Sequence, residues 1–197
     1  MLKKSSNLQR GLTITELVVS ITITAIILSL VTGIFVILFR SFRSESIKNK
    51  LRIDSRTVVD RMADDIRSAT AITDTIVDPQ TAEQYYSGSG TLILKVLAID
   101  GSNNILYDRY DYIIYKFDTT NNQIIKRTIP HADSARNLET KILLPGELES
   151  SSSFTYSPEN PPSLNITTVT VNLILSQIAN NQTYSYSTTQ TIKLRNK

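Results

Sequence analysis

The chain of 197 residues has no cysteine and a single histidine, His131. Without cysteine there can be no disulfide, no thiolate metal site, no Cys nucleophile and no lipoprotein-type anchor. The absence does not place the protein in the cytosol, because many exported proteins also lack disulfides. No nucleophile–base pair, phosphate loop or zinc-ligand spacing is present, and His131 follows Pro130 in a loop-like stretch. Neither an enzyme nor a cofactor or metal site is expected. Two further absences are local. No charged residue occurs from Leu17 to Phe39, and no Pro or Gly occurs between Phe35 and Pro79.

The formal charge is +3, from 21 basic and 18 acidic residues. Lys3, Lys4 and Arg10 lie in the first eleven positions, so the remainder balances at 18 against 18. A basic excess confined to the N-terminus is poor support for a nucleic-acid partner.

The uncharged run from Leu17 to Phe39 is 23 residues long. At about 1.5 Å per residue a helix of that length reaches roughly 34 Å, enough to cross a hydrocarbon core of about 30 Å. Ser20, Thr22, Thr24, Ser29, Thr32 and Gly33 interrupt it with small groups. Their hydroxyls can bond back to the helix, and their size lets neighbouring helices approach. A secretory signal has a shorter apolar core followed by a small-residue cleavage site, whereas this run ends in Phe39-Arg40-Ser41-Phe42-Arg43. A plain single-pass anchor is the simplest alternative. Cations stand on both sides of the run, so the positive-inside rule alone leaves its orientation open.

The flank before the run, Arg10-Gly11-Leu12-Thr13-Ile14-Thr15-Glu16-Leu17, resembles the cleavage and methylation motif of type IV pilins and pseudopilins. That family carries a short basic leader ending in Gly, then an apolar residue (usually Phe), then Glu at the fifth mature position. Gly11 matches the last leader residue, Leu12 the new N-terminus and Glu16 the glutamate. Leu12 departs from Phe but stays large and apolar. Gly33 stands where many major pilins have Pro, which leans toward a minor pilin or pseudopilin. The resemblance implies a membrane prepilin peptidase that cuts after Gly11 and methylates the amine of Leu12. It further implies an N-terminus in the cytoplasm and a C-terminus outside. On that resemblance a single-pass precursor in the cytoplasmic membrane is expected to become an extracellular or periplasmic filament subunit. Other pilins or pseudopilins, a platform protein and an assembly ATPase are the implied partners. The residues leave two roles for Glu16. It is an interfacial acid favoured by the helix dipole, or, as the resemblance implies, it pairs with the amine of Leu12 on a neighbouring subunit.

Past the run, Leu51, Val58, Met62, Ile66 and Ala69 share one helical face. Arg56–Asp60 and Arg61–Asp65 have the i,i+4 spacing of helix ion pairs. One helix is expected from about Thr13 to about Thr70. Residues 1–11 form the leader, 12–70 the long helix with 17–39 crossing the membrane, and 71–197 a β-rich head. The stretch from Asp54 to Ala69 looks like the helix end of minor pseudopilin J and related minor pilins.

The rest of the chain is rich in Thr, Ser, Asn, Ile and Tyr, a mixture suited to strands and turns. Strands are expected at Thr91 to Ile99, Ile105 to Phe117 and Gln123 to Ile129, joined as a meander by polar turns. Residues 73–90 read as a loop. Pro130 to Pro162 reads as mostly irregular, with a short strand near Phe154 to Tyr156. Val169 to Leu175 is expected to pair with Tyr184 to Leu194. The resemblance implies an α+β fold, a pilin-like antiparallel sheet packed on the outer half of the helix. Asp100-Gly101-Ser102-Asn103-Asn104, with Asp108 nearby, could offer oxygen ligands to calcium, but a hairpin turn explains it better. Tyrosines between Tyr107 and Tyr115 suit either an adhesive face or cross-strand packing. The leading functional expectation is a structural subunit of a type IV pilus, type II secretion or competence filament. The alternative is a pilus-tip adhesin or DNA-uptake binding module.

Overall fold

The computed structural model describes residues 13–158, 161, 166–179 and 181–195. Among these described residues one helix, α1 (Ile14–Ser68), is followed by ten strands. The chain divides between Ser46 and Ile47, inside α1, into two compact units.

The first unit is helix alone. Its start is fixed by a reciprocal cap at Thr13 and Glu16, described below. Thr22, Thr24 and Thr32 donate to the carbonyls of Val18, Ser20 and Leu28 at 2.8, 2.7 and 2.8 Å. These hydroxyls are therefore satisfied within the helix and need no water, which suits an apolar environment.

The second unit begins with the rest of α1. Leu51, Ser55, Val58, Val59, Met62, Ala63 and Ile66 are buried, a stripe at three- and four-residue spacing. Ala69, just past the helix, is buried as well. The Arg56–Asp60 and Arg61–Asp65 ion pairs expected from spacing are not made. Asp65 turns instead to the sheet, and Arg67 pairs with Asp64 at 3.0 Å. The helix ends where Thr70 N–H and Thr70 Oγ1 both donate to Lys95 O, at 2.8 and 2.9 Å, turning the chain into a strand.

A five-stranded antiparallel sheet has the order β1-β4-β5-β6-β7. Its members are β1 (Ala71–Ile72), β4 (Thr91–Ile99), β5 (Ile105–Asp118), β6 (Gln123–Ile129) and β7 (Glu139–Leu144). A three-stranded sheet has the order β10-β9-β8, from β8 (Ser153–Ser157), β9 (Thr168–Ala179) and β10 (Gln182–Lys193). Among the described residues the single sheet expected from sequence is thus divided into these two and a small two-stranded one. Alternating inward residues of both sheets, including Leu92, Leu94, Tyr115, Phe117, Val171 and Leu173, share one core with the buried face of α1. Each such side chain contributes on the order of 1.5–3 kcal/mol by leaving water. The sheets are joined where Phe154 stacks on Phe117, with centroids 4.3 Å apart, and where Phe154 N–H donates to Ser89 O at 2.8 Å.

Two segments differ from expectation. Residues 73–90 are not simply a loop, since β2 (Thr75–Val77) and β3 (Gln84–Tyr86) form a hairpin. It brings Ile76 and Tyr85 over Ile93, Ile114 and Ile129 on the outer face of the five-stranded sheet, a second small core. Within the stretch read as irregular, β7 adds an edge strand to β6.

Candidate functional sites: the capped helix and its anchorage to the sheets

Gly11 and Leu12 lie outside the described residues. Glu16 lies in the first turn of α1, exposed. Its Oε2 accepts from Thr13 N–H at 2.9 Å and from Thr13 Oγ1 at 2.8 Å, and Thr13 Oγ1 lies 3.3 Å from Glu16 N–H. This is a capping box: the residue before the helix and the third residue within it satisfy each other's free donors. Glu16 is thus already engaged one residue from Leu12, through a single oxygen.

Beyond this cap the large apolar residues from Leu17 to Phe39 are all 45–69 % exposed, on every side of the helix. No face is kept for an intramolecular partner. A helical stretch of this length and apolarity could span a bilayer. Among the described residues α1 is the one helix long and apolar enough to cross a membrane.

The outer part of α1 is tied to the β-rich part of its unit by polar contacts that the sequence did not announce, Asp65 to strands β5 and β6 and Lys50 to the segment between β7 and β8. Asp65 accepts from the hydroxyl of Tyr115 on β5 and lies 2.5 Å from Lys126 Nζ on β6. Tyr115 is fully buried; burial, the charge of Asp65 and the hydrogen bond to it drive the phenol's pKa far upward, so it stays a donor. Some four turns earlier, Lys50 pairs with Glu147, which is 8 % exposed. The hydrogen bond to Glu147 raises the Lys50 pKa against the effect of partial burial.

Under the β2–β3 hairpin lies a cavity of about 250 Å³, lined by Asp78, Glu83, Tyr85, Lys116, Arg127 and Thr140 over Ile114 and Ile125. Its polar groups are committed to one another. Arg127 Nε donates to buried Asp78 at 2.8 Å, and Arg127 Nη2 donates to Gln80 at 2.9 Å. Lys116 and Tyr85 both donate to Glu83, at 3.1 and 2.8 Å. Burial and Glu83 push the Tyr85 phenol up to about 12. The cavity presents no unspent cation or carboxylate to a ligand, and its arrangement is that of a hairpin clamp.

The remaining sequence candidates also resolve into structure. Asp100 accepts from Ser102 N–H, Asn104 N–H and Asn104 Nδ2 at 2.8, 2.9 and 3.0 Å, so both its oxygens face donors and the segment is a turn. Among the described residues no cluster of three His, Asp or Glu could hold a metal. His131 N–H donates to buried Asp111 at 2.7 Å, and His131 Nδ1 accepts from Asp133 N–H at 3.2 Å. Asp111 also accepts from Ser134 Oγ and Arg136, tying down the loop after β6. The tyrosines do not share a face. Tyr115 points into the core, while Tyr107 is 80 % exposed in a bulge where β5 loops out Tyr107 to Arg109.

Comparisons of the chain with protein-family models, with curated proteins and with solved structures find no match.

Proposed function

We propose that the chain is the precursor of a filament subunit of the minor pilin or pseudopilin kind, processed by a prepilin peptidase and assembled through α1. One observation carries this reading. In sequence the Gly11–Glu16 motif leads into a helix that has Glu16 in its first turn, exposes large apolar residues all round from Leu17 to Phe39 and then continues into a one-sided stripe that a β-rich head covers. The first stretch requires an external apolar environment. The second anchors the head, through the shared core and through the Asp65 and Lys50 contacts.

Before cleavage the environment of the first stretch is the bilayer. A cut between Gly11 and Leu12 exposes an ammonium at Leu12, adjacent to the cap. Glu16 then has a cationic partner on a neighbouring subunit, while its Oε2 still serves Thr13. A carboxylate moved from the membrane edge into a helix bundle costs free energy unless it is paired, so the leader withholds the partner that makes assembly favourable. The membrane orientation on this reading is N-terminus in and C-terminus out. The other components are further pilins, a platform protein and an ATPase.

The test is the mass and first residue of the protein recovered from its native membrane. Leu12, one methyl group heavier on its amine, is the expected start. Gly11→Phe is expected to leave full-length precursor in the membrane, and continued shortening of that variant would remove the cleavage assignment. Glu16→Ala is expected to be processed but poorly incorporated; normal incorporation would remove the pairing.

A further inference from the structure

Edge strands present a row of unpaired backbone donors and acceptors, and proteins usually guard long ones with charge, proline, bulges or a covering segment. The edges in this fold are treated unequally. Strand β1 is two residues long. β7 is six residues long and carries Glu139 and Lys141. β8 is covered on its far side, since Phe154 N–H donates to Ser89 O and the Tyr156 hydroxyl reaches Gly88 O and Thr91 O at 3.0 and 2.9 Å.

β10 has no proline, bulge or covering segment, and its one charge, Lys193, stands at its last residue. It pairs with β9 without a bulge, from Gln182↔Ala179 to Lys193↔Thr168. It lies at the end of its sheet, and among the described residues no backbone hydrogen bond reaches its other side. From Gln182 to Ile192 there is no charge, proline or glycine. The exposed row is Thr183, Ser185, Ser187, Thr189 and Thr191, all small hydroxyl residues of good strand propensity or neutral polarity. Such side chains already pair across the β9–β10 ladder: Thr170 and Thr191 hydroxyls lie 2.8 Å apart, and Thr189 donates to Asn172 at 3.1 Å.

The geometry points to β10 as a self-association edge, at which two copies of this chain pair β10 against β10, antiparallel, with Ser187 on the local twofold axis. Two features select a second copy as the occupant. An isologous antiparallel contact sets the axial residue opposite its own copy and the residues next to it diagonal to theirs, so a charge on or beside the axis would meet like charge. With the axis at Ser187 every β10 residue from Gln182 to Ile192 faces an uncharged residue, and Lys193 lies at the far end of the ladder, away from its own copy. The register also keeps the two faces apart. Thr183 meets Thr191 and Ser185 meets Thr189 on the outer face, while Tyr186 meets Thr188 on the inner one. A slip of one residue would mix the faces. The result is a continuous six-stranded sheet, β8-β9-β10 joined to its copy. This inference rests on the edge alone and stands or falls independently of the filament reading.

The absence of native cysteine makes single-cysteine reporters free of background. Full-length protein in detergent micelles, carrying Ser187→Cys, is expected to give a covalent dimer with a short bismaleimide. Thr183→Cys is expected to crosslink with Thr191→Cys in a mixture and at least about fivefold less with itself. Ser187→Lys alone and Ser187→Glu alone should each weaken the dimer about fivefold or more, as like charges meet on the axis, and mixing the two should restore it. Crosslinking of Thr183 to Thr183, crosslinking of β10 to a Lys141→Cys reporter on β7 in its place, or no crosslink along β10 with circular dichroism unchanged would each overturn the proposal.

Discussion

Asp65 is the residue whose removal tests most directly how the outer half of α1 is held. Asp65→Ala deletes the acceptor of the Tyr115 hydroxyl and the counter-charge of Lys126 in one step. Tyr115 is fully buried, so its O–H loses its partner, a loss of about 1–3 kcal/mol. Breaking a fully buried ion pair costs about 3–5 kcal/mol. The side chains of Lys126 and Asp65 are 25 % and 22 % exposed, so this contribution shrinks, and about 2–3 kcal/mol is the expected total for Asp65→Ala. For a folded unit of this size that is a fall in Tm of about 5–10 °C.

Tyr115→Phe should cost only about 1 kcal/mol, because the carboxylate keeps Lys126. The double variant should cost about 1 kcal/mol less than the sum of the two, since it leaves no unpaired hydroxyl. The assay is urea unfolding of full-length protein in detergent, followed by near-UV circular dichroism of the tyrosines, which no tryptophan obscures. Asp60→Ala, on the exposed side of the helix, is the control and should change stability by a few tenths of a kcal/mol. Additivity of the double variant, or an Asp65→Ala loss no larger than the Asp60→Ala one, would refute the reasoning.

Two more outcomes follow from the same packing. Burial opposes the charge on Asp78, but the Gln80 N–H, the Arg127 guanidinium and the Thr81 N–H outweigh it and hold the pKa below the ordinary value. Its contribution to stability is therefore complete above about pH 4, the unperturbed carboxyl range, and is lost as pH falls through the lowered folded value. Asp78→Asn should weaken the protein at neutral pH and flatten its acid titration, and an unchanged profile would contradict the clamp. Phe154, 1 % exposed and stacked on Phe117, joins the two sheets. Phe154→Ala should cost about 3–5 kcal/mol and Phe154→Leu about 1, measured by the same urea titration; equal losses would mean that the ring is not what joins them.

What the sequence made legible follows the length and regularity of each element. The 3.6-residue stripe from Leu51 to Ala69 reads directly because its whole face is buried in one core. β4 and β6 have the expected limits, since each is a β-branched run closed by an Asp- or Asn-rich turn. β2 and β3, at three residues each, are shorter than any period can register. Only Ile76 and Tyr85 of that hairpin pack on the sheet, and a lone apolar pair carries no pattern. β7 reads as irregular because it is an edge, with only Leu144 buried. Asp65 was assigned to Arg61 by spacing, yet a buried hydroxyl and an ammonium from distant strands hold it. Helix-local rules see only helix neighbours, and this contact spans 50 and 61 residues. At Glu16 the sequence left open a role at the helix N-terminus, and the cap with Thr13 gives that role a definite geometry.

A single unbroken helix therefore carries two incompatible hydrophobic patterns. Its outer half has one apolar face and finds the matching surface within its own chain. Its inner half has no polar face, and its threonines have folded their hydroxyls onto the backbone, so it demands apolar surroundings on all sides. To such side chains a bilayer and a bundle of similar helices are nearly the same solvent, because lipid tails are about as apolar as leucine. Moving the span from one to the other then costs little for Leu17 to Phe39. On the proposed reading Glu16 is the position at which the two environments would differ: at the membrane edge its carboxylate would be wetted, and inside a bundle it would need a cation. On the proposed reading the free energy that separates stored precursor from assembled subunit is concentrated at this one residue and at the amine that cleavage creates beside it.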